Sequence, residues 1–196
     1  FTVMEPNSFD YDTLSRRFRE LSYLNKGISI TVEDRRGEEA KKEAFHAEGG
    51  LSSYVRYLNE YKTVLSDPIS LEGEGTTEKN GAGDPVSVEV AIQYNDKFDE
   101  KVVTFVNNIN TREGGTHLSG FKAALSRCFN NQLKNSQKYM KIYSGSLDGK
   151  DIAEGLTAVI SVKIPNPQFE GQTKMKLGNS SVKGIVDSLV YEKLTN

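Results

Sequence analysis

The sequence lacks most of the residue sets that build familiar catalytic or structural centres. It has a single cysteine, Cys128, and no tryptophan. One thiol excludes a disulfide framework within the chain and a cysteine zinc site. It also makes a reducing, cytoplasmic setting the simplest expectation. The two histidines, His46 and His117, stand far apart along the chain. No apolar run approaches the ~20 residues that cross a bilayer, and no cationic, apolar, small-residue leader is present. Charge of one sign is lacking as well. The net charge is −2, so any contact with a polyanion must come from a local cluster of lysines and arginines. Walker, GxSxG, HExxH and CxxC signatures are all missing. The chain opens on Phe1 instead of methionine, and we expect it to be a piece of something longer.

What remains is an ordinary polar-leaning composition, 36% hydrophobic and 27% charged over 196 residues. That length buries a core without staples and suits one domain. Leu14, Phe18 and Leu21 recur at helical spacing, which predicts a helix over residues 9–25 with Asp10 or Asp12 at its start. Ile28, Ile30 and Val32 alternate with polar residues, and residues 42–46 can return as the second arm of a hairpin. Gly49-Gly50 opens a short helix carrying Leu51, Tyr54, Val55 and Leu58. Residues 71–85, with four glycines and a proline, read as a mobile surface loop. Alternation of Val86, Val88, Val90 and Ile92 predicts a strand, and the apolar run 102–106 a central one. Leu118, Phe121, Leu125, Cys128 or Phe129, and Leu133 form the stripe of a long helix, with Thr116 as its cap. A strand over 156–164 is stopped by Pro165 and Pro167, and Ser180 or Ser181 caps a last helix. This order describes an α+β layer with helices on one face of a sheet.

Few residues offer chemistry. Cys128 lies on an apolar stripe, where a free cysteine behaves as a small hydrophobe, and His46 sits near a strand end. Two segments stand out. In Thr111-Arg112-Glu113-Gly114-Gly115-Thr116-His117, the glycines either bring backbone N–H groups to a phosphate at a helix start or simply permit a tight strand-to-helix turn. The second runs from Gln168 to Lys176. Its lysine and glutamine are donors that a terminal phosphate can use, and they equally suit a solvated loop.

Taken together, TREGGTH, LSGFKAAL and EGLTAVISVKIPNPQFEGQTKMKLGNS resemble the transducer domain of the bacterial type IIA topoisomerase ATPase subunit. FRELSYLNKGISITVEDRR and FHAEGGLSSYVRYLN resemble the same family in the same order, so the resemblance covers essentially the whole chain. It implies a ribosomal-protein-S5-domain-2-like fold with a left-handed βαβ crossover, an exception to the usual hand, and one domain over 1–196. It implies a neighbouring GHKL ATPase domain that binds ATP and Mg²⁺, so that no cofactor is expected in this chain and the chain alone should not turn over ATP. Gln172 and Lys174 are then the γ-phosphate contacts, Lys174 being the catalytic sensor, and Lys122 the contact to a captured DNA segment. The implied partners are the ATPase domain of the same chain, the DNA transport segment, a second copy of the same ATPase-bearing chain on ATP binding and the gyrase A subunit. The gyrase branch is the first expectation and the topoisomerase IV branch the alternative. A free-standing S5-like nucleic-acid-binding module is a more remote one, since it needs a basic face.

Overall fold

A computed structural model describes residues 9–78, 83–143 and 145–195. The chain packs as two compact units, one up to Tyr54 and one from Val55. Each follows from its own packing.

In the first unit, helix α1 (Tyr11–Leu24) is capped by Asp10, whose side chain accepts the Thr13 N–H at 2.7 Å. Strands β1 (Ser29–Asp34) and β2 (Lys41–His46) pair antiparallel, from Ser29 opposite His46 to Asp34 opposite Lys41. In the connecting turn the Arg36 guanidinium, together with its backbone N–H, grips the Asp34 carboxylate and holds its pKa down to about 2. The buried positions of α1 are Ser15, Ser22 and Leu24, and Leu14, Phe18 and Leu21 are only half-buried. Ser15 donates to Glu43, and the Arg19 guanidinium lies 5.3 Å from the Phe45 ring centre. A two-stranded hairpin is too narrow to cover the whole apolar stripe of α1. Tyr54, in the first turn of helix α2 (Leu51–Leu58), stacks on Tyr23 at 4.8 Å.

The second unit is a five-stranded mixed sheet of β3 (Ile69–Thr76), β4 (Pro85–Tyr94), β5 (Lys101–Val106), β6 (Ile109–Asn110) and β7 (Leu156–Lys163), in the order β3-β4-β7-β5-β6. β7 pairs antiparallel with β4 and parallel with β5. The chain between β5 and β7 carries α3 (Thr116–Asn135), α4 (Gln137–Ile142) and α5 (Gly149–Ala153), and α6 (Ser180–Thr195) follows β7. Helices α3 and α6 pack on one face of the sheet, over Val88, Val90, Ile160 and Val162. Every residue from Leu156 to Val162 is buried, so β7 is the middle strand, and β5, paired with β7 on one side and β6 on the other, is an interior strand as its apolar run implies. The opposite face buries Ala91, Phe105 and Val159 beside an amide network. Asn59 Nδ2 donates to Gln93 Oε1 at 2.9 Å, Thr157 Oγ1 donates to Asn59 Oδ1 at 2.7 Å, and Asn95 Nδ2 donates to the Gly155 carbonyl at 2.8 Å.

The loop expected over 71–85 is mostly strand. β3 pairs with β4 from Ile69 opposite Ile92 to Thr76 opposite Pro85, and the tip at 79–82 lies outside the described residues. The glycines mislead because they serve packing. A Cβ on Gly73 would sit 2.5 Å from Leu189 Cδ1, and one on Gly75 would sit 2.6 Å from Ile185 Cγ2. Bare backbone at these alternate positions lets α6 lie directly on the edge strand.

Two caps also differ from expectation. Gly115, not Thr116, holds the N-cap position of α3, with no side-chain cap bond. α6 begins at Ser180 itself, and the Asn179 side chain before it accepts the Gln168 N–H at 2.6 Å.

Candidate functional site

The two segments singled out in the sequence meet in space. Residues 168–178 fold back on themselves. Phe169 pairs antiparallel with Leu177, Glu170 N–H donates to the Lys176 carbonyl at 2.9 Å, and Gly178 N–H donates to the Gln168 carbonyl at 2.7 Å. The returning arm then lies parallel to the strand-to-helix turn, with Gly115 opposite Leu177. Three backbone bonds of 3.0 Å stitch turn to arm. Glu113 N–H donates to the Met175 carbonyl, Leu177 N–H to the Gly114 carbonyl, and Thr116 N–H to the Leu177 carbonyl. Leu177 is fully buried beneath this ladder. The Glu113, Gly114 and Thr116 amides are therefore engaged within the protein, which favours the tight-turn reading of these glycines over a phosphate cradle.

The tip of the fold-back carries Gln172 and Lys174. Both are exposed, and among the described residues neither side chain has an ion pair or hydrogen bond. Lys174 stands at φ 55, in the left-handed region, with its N–H turned toward the Gly171 carbonyl at 3.4 Å. A non-glycine residue in that region costs roughly 1–2 kcal/mol, so the surrounding ladder must hold it there. At the base of the tip, the Lys176 ammonium pairs with Glu170 at 2.9 Å, and that bond raises its pKa. The arrangement presents one ammonium and one amide, unengaged and exposed, on a tethered support. That is the donor set a terminal phosphate takes.

Beneath the turn is a buried polar cluster that the sequence does not announce. His117 is fully buried and its Nε2 lies 3.1 Å from Thr111 Oγ1. Thr104 Oγ1 donates to the Thr111 carbonyl at 2.8 Å. Burial holds the His117 imidazole neutral, with its pKa pushed down to about 4. Thr104 projects from β5 and His117 from the first turn of α3, so the cluster joins strand to helix across the turn.

The other residues take plainer places. Lys122 is exposed on α3, its ammonium 2.8 Å from Glu100 Oε1. The Cys128 thiol faces the apolar interior, and burial raises its pKa; Phe129 at the next position is partly exposed. His46 is exposed at the end of β2, its Nδ1 3.1 Å from the Ile28 carbonyl oxygen. A feature absent from the sequence reading is an apolar cavity of about 530 Å³, walled by Ile69, Tyr94, Phe129, Tyr139 and Ile142 among others. Its wall includes α4, a six-residue helix too short to show periodicity.

The DNA gyrase B family model matches residues 50–196. The DNA gyrase B protein of Clostridium acetobutylicum is 52% identical over 98% of this chain, which spans 29% of that protein's length. Among solved structures, the 43K ATPase domain of Thermus thermophilus gyrase B is similar with a TM-score of 0.78 and 36% identity. That match covers 95% of this chain and 47% of that one. The topoisomerase IV ATP-binding domain of Francisella tularensis matches with a TM-score of 0.74 at 23% identity, over all of this chain and 49% of that one, a likeness of fold alone. The stitched fold-back, the glycine turn that anchors it and the helix that follows are thus features of a chain that belongs to the DNA gyrase B family.

Proposed function

We propose that this chain is the transducer of a gyrase-type ATP-driven topoisomerase. It couples ATP binding and hydrolysis in an adjacent GHKL domain to closure of the DNA gate. The bound nucleotide with Mg²⁺ supplies the phosphoanhydride that is cleaved. The Lys174 ammonium and the Gln172 amide donate to its γ-phosphate, and Lys174 stabilises charge that develops there. The observation that carries this reading is the exposed, unengaged Lys174 held in a left-handed conformation at the tip of a doubly tethered fold-back.

Magnitudes favour the assignment. A hydrogen bond to a charged group contributes roughly 1.5–3 kcal/mol, so the two contacts supply about 3–6 kcal/mol while the γ-phosphate is present. Moving a two-state hinge from 1:99 to 99:1 takes about 5.5 kcal/mol. One loop is therefore enough to bias the gate, and phosphate release is enough to free it. In the same reading the chain works beside a second copy of itself and the gyrase A subunit, and Lys122 meets the phosphates of the transported duplex without regard to sequence.

The test is Lys174→Ala in the full-length protein. Removing one preorganised donor costs roughly 2.7–4 kcal/mol in the transition state, about 10² to 10³ in rate. ATP turnover should fall by that order and ATP-driven supercoiling should stop. ATP-independent relaxation by the assembled enzyme should persist. Near-normal turnover would demote the loop to a solvated connection.

A further inference from the structure

We propose that Gly115 is a positioning residue for Lys174, and that the turn from Glu113 to Thr116 transmits the position of the Lys174 loop into helix α3. The inference rests on the nucleotide-sensing reading of Lys174 and adds how the signal leaves the loop.

The tip is fixed from two sides. On one side the arm 168–170 pairs with 176–178, and on the other the turn 113–116 pairs with 175–177. Of the bonds between turn and arm, the one nearest Lys174 runs from Glu113 N–H to the Met175 carbonyl, one residue away. The pairing at Gly115 tolerates no side chain. A Cβ there would lie 2.3 Å from the Leu177 carbonyl oxygen and 2.5 Å from the Leu177 nitrogen, and the glycine itself stands at φ 130. Those neighbours are backbone atoms, so a side chain could enter only by pushing the returning arm off the turn and unseating Lys174.

The turn has no slack on its far side either. Thr116 donates to the Leu177 carbonyl and is also the first residue of α3. His117, the next residue, is held to β5 through Thr111 and Thr104. Four residues after Thr116, Gly120 lies so close to α6 that a Cβ would stand 2.4 Å from the Lys183 carbonyl oxygen. Helix α3 runs 20 residues and carries Lys122 on its second turn. A pull on Lys174 thus reaches the helix that carries Lys122 through backbone hydrogen bonds.

Two measurements on the full-length protein test this. In the unaltered protein, a non-hydrolysable ATP analogue should slow amide hydrogen exchange in residues 169–178 and in 113–119 together. If 169–178 responds and 113–119 does not, the transmission inference is overturned and phosphate sensing by Lys174 stands. If neither responds, both fail. In the Gly115→Ala variant, exchange over 169–178 should rise at least tenfold with the rest of the domain unchanged. ATP turnover should drop between tenfold and a hundredfold while KM for ATP stays within about twofold, since an ångström of misplacement costs rate more than binding. Turnover at the parent level with a loosened loop overturns the positioning role. In that case Lys174→Ala decides the sensor reading separately, because an impaired Lys174→Ala leaves it standing. Should Gly115→Ala fail to fold, the exchange measurement on the unaltered protein decides alone.

Discussion

Lys174, Gln172, Lys122 and His117 each show a different relation between residue type and role. Lys174 and Gln172 sit on the same tip, yet an ammonium donates as a full charge and an amide does not. Gln172→Ala in the full-length protein should therefore lower ATP turnover clearly less than Lys174→Ala, as a side-by-side steady-state assay would register. Lys122 does not stand alone on α3. It shares an exposed ion pair with Glu100, worth at most about 1 kcal/mol. Lys122→Glu should weaken DNA stimulation of the ATPase and cost little stability beyond repulsion from Glu100. Unchanged stimulation would remove Lys122 from the DNA path. His117 carries the pH dependence. Its folded pKa of about 4 lies below the ordinary 6.5, so the unfolded chain binds the proton more readily. Its contribution to stability is complete above pH 6.5 and declines as the pH falls toward 4. Between pH 7 and 5 that decline amounts to roughly 2 kcal/mol. Urea unfolding at the two pH values should show His117→Gln losing less than the parent by about that much.

At the scale of elements, the longer helices and strands are legible because one face is buried, whereas α4, α5 and β6 are too short to show a period. The Val182, Val186, Val190 spacing of α6 and the Val86, Val88, Val90 alternation of β4 are both fully buried in the structure. β3 is the exception. Its glycines at 73 and 75 read as loop because propensity is a local property, whereas their role is to admit α6 at a distance no side chain allows. Gly73→Val should then destabilise the domain by roughly 1–3 kcal/mol through overpacking against Leu189, despite valine's higher strand propensity. Ser70→Val, at an exposed site on the same strand, should shift the unfolding midpoint by no more than about 0.5 kcal/mol equivalent. Equal effects would mean that the glycines serve the backbone and not the helix contact.

For the whole molecule, the donors that would meet a phosphate are present and exposed, while the signatures of a nucleotide-binding centre are not in the sequence. The purified chain should accordingly release no phosphate from ATP, with or without DNA. Turnover near that of the intact full-length protein would require a second nucleotide site within these residues.

The sequence by itself determined element types wherever hydrophobic period and burial coincide, and its motifs marked both segments of the site. It pointed to the family too, because TREGGTH and QTK lie in a recognisable order. Only the tertiary structure decided that these two motifs form one unit, since the ladder between Glu113–Thr116 and Met175–Leu177 consists of backbone hydrogen bonds, which leave no trace in side-chain pattern. The tertiary structure likewise decided that β7 is the middle strand of the sheet, that Gly73 and Gly75 belong to a strand, and that His117 is a buried tie between α3 and β5. Each of these depends on what lies across a sheet or beneath a helix, and periodicity along one segment carries no information about the segment it will meet.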